Sequence, residues 1–176
     1  MPDGIHKMKA IVLSSSIRLL CTHSCLVLLL LFSAAARPAG MQALGAESYA
    51  GIEKTYAGHS FLVALWSLDC PPCIKEFEML ERVRRAYPDF KIVLINTDGV
   101  EASEEAEALL QQFELNSADT WIFASEETEK LRFSIDRQWY GELPRSYLYR
   151  DNARQSHSGL IDEAQLRNWL DSLTAR

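Results

Sequence analysis

The sequence predicts an α/β domain built on a central mixed sheet, with helices on both faces and an antiparallel hairpin near its C-terminal end. Two runs of strand length carry continuous apolar stretches, "FLVALW" (61–66) throughout and "FKIVLINTD" (90–98) at its centre, as central strands covered on both faces must. The segments between and after them carry apolar residues three to four positions apart, the period of a helix packed on one side. A late pair of strand-like segments meets at Asp151-Asn152, the residue types of a tight turn.

Taken in order, residues 37 to about 46 read as a loose segment, and "ESYAGIEKTYAG" (47–58) as a short helix or turn leading into the first buried strand. From Pro71 to about Tyr87 the pattern is helical, with Ile74, Phe77, Leu80 and Val83 on one face. Pro71 and Pro72 are tolerated there because the N–H groups of a first turn lack intrahelical partners, and Pro88 ends the helix. After the second strand, Gly99 opens a loop into a helix over Ser103–Phe113, whose apolar face is Ala106, Leu109, Leu110 and Phe113. "TWIFAS" (120–125) is a third strand and Thr128–Ile135 a short helix. The hairpin spans 145–161, and Asp162 caps a last helix carrying Leu166, Trp169, Leu170 and Leu173. Neither internal repeats nor low-complexity stretches interrupt this order.

The chain has 176 residues, about one domain's worth. Its first 36 are set apart: Lys7, Lys9 and Arg18 precede "CLVLLLLFSAAARPAG", an apolar core ending in Ala34-x-Ala36. That pattern is a secretory signal peptide with cleavage near Arg37; an uncleaved anchor over Leu19–Ala36 is the alternative, and both export the domain beyond residue 40. Cys21 and Cys25 lack the small-residue context of a lipid-modified cysteine. The expected organisation is a leader over 1–36, a linker over 37–51 and a folded domain over 52–176. From residue 37 onward 15 Lys and Arg face 23 Asp and Glu, a net of −8, so a nucleic-acid partner is not expected. "EASEEAE" (101–107) reads as a solvated helix face.

Beyond the leader the only cysteines are Cys70 and Cys73, separated by two prolines. A disulfide closing so short a loop removes almost no chain entropy, so it is not there as a staple. Half a zinc or copper site needs further ligands, and the domain offers only His59 and His157, far apart in sequence. Placed where a strand runs into a helix, the pair has a different use. The helix N-terminus stabilises negative charge, so the first thiol ionises more readily, and the thiolate is the species that attacks a disulfide. Cys73, one turn further in, is more buried and placed to resolve a mixed disulfide on Cys70.

With these residues in hand, positions 52 to 173 resemble the thioredoxin superfamily, and within it the TlpA/ResA-like branch of exported thiol–disulfide oxidoreductases. The resemblance rests on "FLVALWSLDCPPCIKEF", with Trp66 four residues before the first cysteine, on "KIVLIN", on the inserted helix at 103–113, and on "GELPRSYLYRDN". It implies a three-layer thioredoxin-like fold with Cys70 as nucleophile and Cys73 as resolving cysteine. Pro144 would be cis and face the sulfurs, Leu143 would offer backbone hydrogen bonds to a substrate strand, and Trp66, Pro71 and Pro72 would contact substrate. Trp139 is a second candidate for that apolar surface, with a core position the leading alternative; Trp121 and Trp169 are expected in the core.

The resemblance also implies protein thiol or disulfide substrates, a membrane or exported protein as electron donor, no bound cofactor and no metal. A reductive role, of the type that keeps apocytochrome c or copper-site cysteines reduced, is the implied direction. An oxidase would use the same residues, while a non-catalytic binding module or a copper-delivery protein would use the same groove or thiols without turnover. Several positions depart from the branch. Asp69 replaces the usual tryptophan before Cys70, and a carboxylate there opposes thiolate formation. Ala64 stands where thioredoxins carry a buried acid, and Glu78 where a helix-kinking proline is common. Asp98 is the candidate proton-transfer group in place of the missing acid, with loop capping the alternative. No N-terminal hairpin is evident between 41 and 55.

Overall fold

The computed structural model describes residues 40–124, 127–151 and 153–174, the side chain of Thr174 excepted. The expected leader over 1–36 and the turn residue Asn152 therefore lie outside the described residues. The elements are β1 (Gln42–Leu44), α1 (Ser48–Thr55), β2 (Phe61–Trp66), α2 (Pro71–Ala86), β3 (Lys91–Asn96), a 3-10 turn (Val100–Ala102), α3 (Ser103–Gln112), β4 (Asp119–Phe123), α4 (Thr128–Ile135), β5 (Arg145–Arg150), β6 (Ala153–Ser158) and α5 (Glu163–Thr174). No helix among the described residues is long and apolar enough to cross a membrane.

The six strands form one mixed sheet in the order β1-β4-β3-β2-β5-β6. β1, β4, β3 and β2 are mutually parallel, while β5 runs antiparallel to β2 and β6 to β5. Successive steps from β2 to β3 and from β3 to β4 move the same way across the sheet, so right-handed crossovers place α2 and α3 on one face. Alternation along the strands divides the core accordingly. Leu62, Ala64, Trp66, Ile92 and Leu94 meet α2, α3 and α5, whereas Phe61, Val63, Leu65, Val93 and Ile95 meet α1 and α4. The result is the expected three-layer α/β fold. On the second face the Tyr49 and Tyr149 hydroxyls hydrogen-bond at 2.9 Å, and Tyr149 donates to Glu53 at 2.8 Å, tying α1 to β5.

Local sequence and structure agree closely where the apolar pattern is long. β2 and α4 have the expected bounds, and α2 ends within one residue of expectation. The Asp162 cap is present, its carboxylate accepting from the Gln165 N–H at 2.9 Å. The segment over 37–51, expected as a linker, is different in its described part. β1 pairs with β4 from Gln42↔Trp121 to Leu44↔Phe123, α1 begins at Ser48, and the compact unit begins at Gly40. Three residues with only Leu44 buried carry no readable alternation, and their partner lies almost eighty positions away.

Candidate active site

The parallel strands β2 and β3 end side by side, with Trp66 opposite Asn96. Because β5 is antiparallel to β2, its first residue Arg145 stands opposite Leu65, so the chain entering β5 lies at the edge where the chain leaves β2. Cys70, Asp98 and Pro144, distant in sequence, are thereby brought to one end of the sheet. Leu68 and Leu143 pack against the core cluster that holds Cys70 and Cys73, and the Leu143–Pro144 peptide is cis, as expected.

Cys70 and Cys73 form a disulfide, their Cα atoms 5.3 Å apart. Cys70 is the N-cap of α2 and Pro71 and Pro72 are the first helical residues, so the first turn keeps few N–H donors. The Cys73 N–H points at Cys70 Sγ (3.3 Å) as well as its carbonyl oxygen (2.9 Å). A donor aimed at that sulfur favours negative charge on it when the pair is reduced. The exposures differ in the expected sense: Cys70 is 7% exposed and Cys73 1%. Pro71 and Pro72 are exposed and Leu143 half-buried, all at this end, while Pro144 is buried.

One tryptophan corrects the sequence reading and another takes the core position expected of it. Trp66 is fully buried, stacked edge-on against Phe77 with ring centres 5.0 Å apart, so it supports the site from beneath and does not line a substrate surface. Its place in a strand covered on both faces is the reason. Trp139 is buried too, and its indole N–H donates to the Glu142 carbonyl at 2.8 Å, bracing the loop before β5 from inside. Trp169 sits against Phe90, and Trp121 donates to Asp119, both partly buried.

Asp98 has the geometry of the loop-capping alternative. Its carboxylate accepts from the Ser67 hydroxyl (2.6 Å), the Leu68 N–H (2.8 Å) and the Asn96 amide (2.8 Å), and its own N–H donates back to Asn96 (2.8 Å). This fastens the end of β3 to the loop that delivers Cys70. Asp98→Asn replaces one accepting oxygen by a donor facing other donors, and is expected to cost about 1–2 kcal/mol of stability. Urea unfolding with the disulfide intact measures this; an unchanged midpoint together with a slowed exchange reaction would instead return Asp98 to proton transfer.

The buried acid is elsewhere. Ala64 sits in the core as expected for an alanine, but Glu76, one turn along α2 from Cys73, is only 4% exposed. One oxygen accepts from the Ile161 N–H at 3.0 Å, the sole hydrogen bond to this carboxyl among the described residues. Burial pushes its pKa up to about 7; the Ile161 hydrogen bond and the nearby His157 offset only part of the rise. From the sequence, Glu76 matches the family pattern together with Lys75 and Phe77, but no role is read for it there. The signal was present: with Cys73, Phe77, Leu80 and Val83 buried, helical spacing puts residue 76 on the same buried face.

No family model matches the chain, and no curated protein does. Solved structures match over about two thirds of it. They include a secreted Mycobacterium tuberculosis disulfide oxidoreductase homologous to E. coli DsbE (16% identity, 68% of this chain and 85% of that one, TM-score 0.56). The thioredoxin domain of a thiol-disulfide oxidoreductase from Bacteroides vulgatus matches at 18% identity, with 68% and 82% covered and a TM-score of 0.56. A putative thiol:disulfide interchange protein DsbE from Chlorobium tepidum matches at 20%, with 68% and 82% covered and a TM-score of 0.51. Likeness at these identities is likeness of fold: this chain has the thioredoxin-like fold, and the Cys70–Cys73 disulfide lies at the N-terminus of its second helix.

Proposed function

We propose that the protein is an exported thiol–disulfide oxidoreductase that reduces protein disulfides. The observation that carries this is the Cys70–Cys73 disulfide at the N-terminus of α2, with the less buried sulfur first and a backbone donor aimed at it. In the reduced protein the Cys70 thiolate attacks one sulfur of a substrate disulfide. A mixed disulfide forms and the other substrate sulfur leaves as a thiolate, which takes up a proton. Cys73 loses its proton and attacks Cys70 Sγ; the second substrate thiol is released and the Cys70–Cys73 disulfide forms. The substrate gains two electrons and two protons; the protein supplies both electrons and the Cys73 proton, and solvent returns the proton that Cys70 released on ionising.

Glu76 is the group we assign to the proton on Cys73. It is buried one turn away, and burial holds its pKa near the pH at which it both accepts and releases a proton. Leu143 and Pro144, with Pro71 and Pro72 at the same end of the sheet, receive the substrate chain in extended form. Export is supported by the apolar leader, and a second protein dithiol, in the membrane or beyond it, resets the pair.

The reduction potential of the Cys70/Cys73 pair, equilibrated against dithiothreitol or glutathione, tests the direction. A value near about −270 mV, the thioredoxin range, is expected. A value near about −120 mV would make the protein an oxidant of secreted thiols, and failure to cycle would make it a binding module.

A further inference from the structure

We infer that Glu142 and Arg145 form a clasp that holds the main chain of Leu143 in place for a substrate strand, making them positioning residues that set affinity for peptide disulfides. The inference rests on the oxidoreductase reading above and deepens it. Arg145 follows Pro144 directly and is buried. Its guanidinium reaches three separate segments. Nη2 donates to Asp136 at the end of α4 (2.8 Å), and Nη1 to Glu142 in the loop (3.1 Å) and to the Ser158 hydroxyl at the end of β6 (2.6 Å). Nε donates to the Tyr147 hydroxyl (3.2 Å), which in turn donates to Asp136 (3.1 Å). A planar fork with fixed donor directions suits this arrangement, and a lysine ammonium does not reproduce it.

Glu142 is the other half. Its Oε1 accepts from Arg145 and from the Ser158 hydroxyl (2.9 Å), its Oε2 from the Tyr140 N–H (3.2 Å), and its carbonyl from the Trp139 indole. On the far side of Leu143, the Pro144 carbonyl accepts from the Gly159 N–H at 2.8 Å. Gly141 has φ +99°, a left-handed backbone conformation that favours glycine at the start of this loop. Both neighbours of Leu143 are thus tied down, while the N–H and C=O of Leu143 itself take no hydrogen bond among the described residues.

A loop bonded on either side of one open peptide unit is already ordered before a partner arrives. A strand that pairs with Leu143 then does not have to order the loop as it binds. The Glu142 side chain is 45% exposed, so its removal leaves the core intact and separates positioning from folding.

The test compares wild type with Glu142→Ala, Glu142→Gln and Arg145→Lys on two probes: bis(2-hydroxyethyl) disulfide, which has no strand to pair, and a short extended peptide carrying a mixed disulfide with glutathione. For Glu142→Ala the KM for the peptide is expected to rise about tenfold, the equivalent of one main-chain hydrogen bond or slightly more. Its kcat, and the rate with the small disulfide, should stay within about twofold, because the sulfurs and α2 are untouched. Glu142→Gln keeps an accepting oxygen and should recover most of the affinity; Arg145→Lys should resemble Glu142→Ala. Equal slowing on both probes, or no change on either, overturns the clasp while leaving the oxidoreductase reading standing. A wild-type protein that reduces neither probe overturns that reading and the clasp with it.

Discussion

Cys73→Ser is expected to accumulate a mixed disulfide on Cys70 with protein partners, whereas Cys70→Ser should trap nothing and lose exchange down to the uncatalysed background. The asymmetry follows from position. Cys70 caps the helix with the less buried sulfur and receives the Cys73 N–H, while Cys73 is sealed in the core beside Phe77 and Leu80. A partner's sulfur reaches Cys70 first; without a second thiol to resolve it, the covalent intermediate persists. Non-reducing electrophoresis and mass spectrometry of protein recovered from cells read this directly. Trapping through Cys73 in the Cys70→Ser protein would reverse the assigned roles. Full function in Cys70→Ser would remove the electron-exchange reading and leave a binding module.

Glu76→Gln is expected to stabilise the oxidised protein above neutral pH and to flatten its stability profile. An acid whose folded pKa is raised binds more protons in the folded state than in the unfolded one. Stability therefore falls as pH rises from the ordinary value of 4.5 through about 7, and the full penalty is present above that window. A rise of this size corresponds to ~3 kcal/mol at the alkaline end. The glutamine amide keeps an oxygen for the Ile161 N–H and carries no charge to bury. Urea unfolding of both proteins at pH 5 and pH 8 gives the difference, in which other titrating groups largely cancel. Parallel profiles would mean that Glu76 is not a buried titrating carboxyl. In the exchange reaction, the same substitution should slow resolution by Cys73 and erase an inflection near pH 7; an unchanged profile would remove Glu76 from proton transfer.

Much of this site is legible without the fold. Elimination singles out Cys70 and Cys73, since a two-residue loop is a poor staple and no further ligand set is in reach. Pro144 and Leu143 come from resemblance, and the structure brings them to the end of the sheet that carries the disulfide. Trp66 departs from expectation for an instructive reason. Its nearness to the motif suggests a surface role, but the side chain of a strand residue faces whichever layer covers it, and here α2 and Phe77 cover it. Asp98 reads from sequence as either proton donor or loop cap, and only the positions of Ser67 and Leu68 separate the two.

Features that depend on neighbours along the chain can be read from the order of residues. The bounds of β2 and α4, the extent of α2, the proline stop, the Asp162 cap and the redox pair each reflect periodicity or steric limits acting over a few residues. Features that depend on which surfaces meet emerge only in the folded molecule. β1 exists because β4 offers it an edge, and Glu76 is raised toward neutrality because the folded core takes its carboxyl out of water. The Glu142–Arg145 clasp exists because α4, the loop before β5 and the end of β6 converge on one guanidinium. Burial and long-range hydrogen bonds belong to pairs of segments, and a pair far apart in sequence leaves no periodic trace in either member.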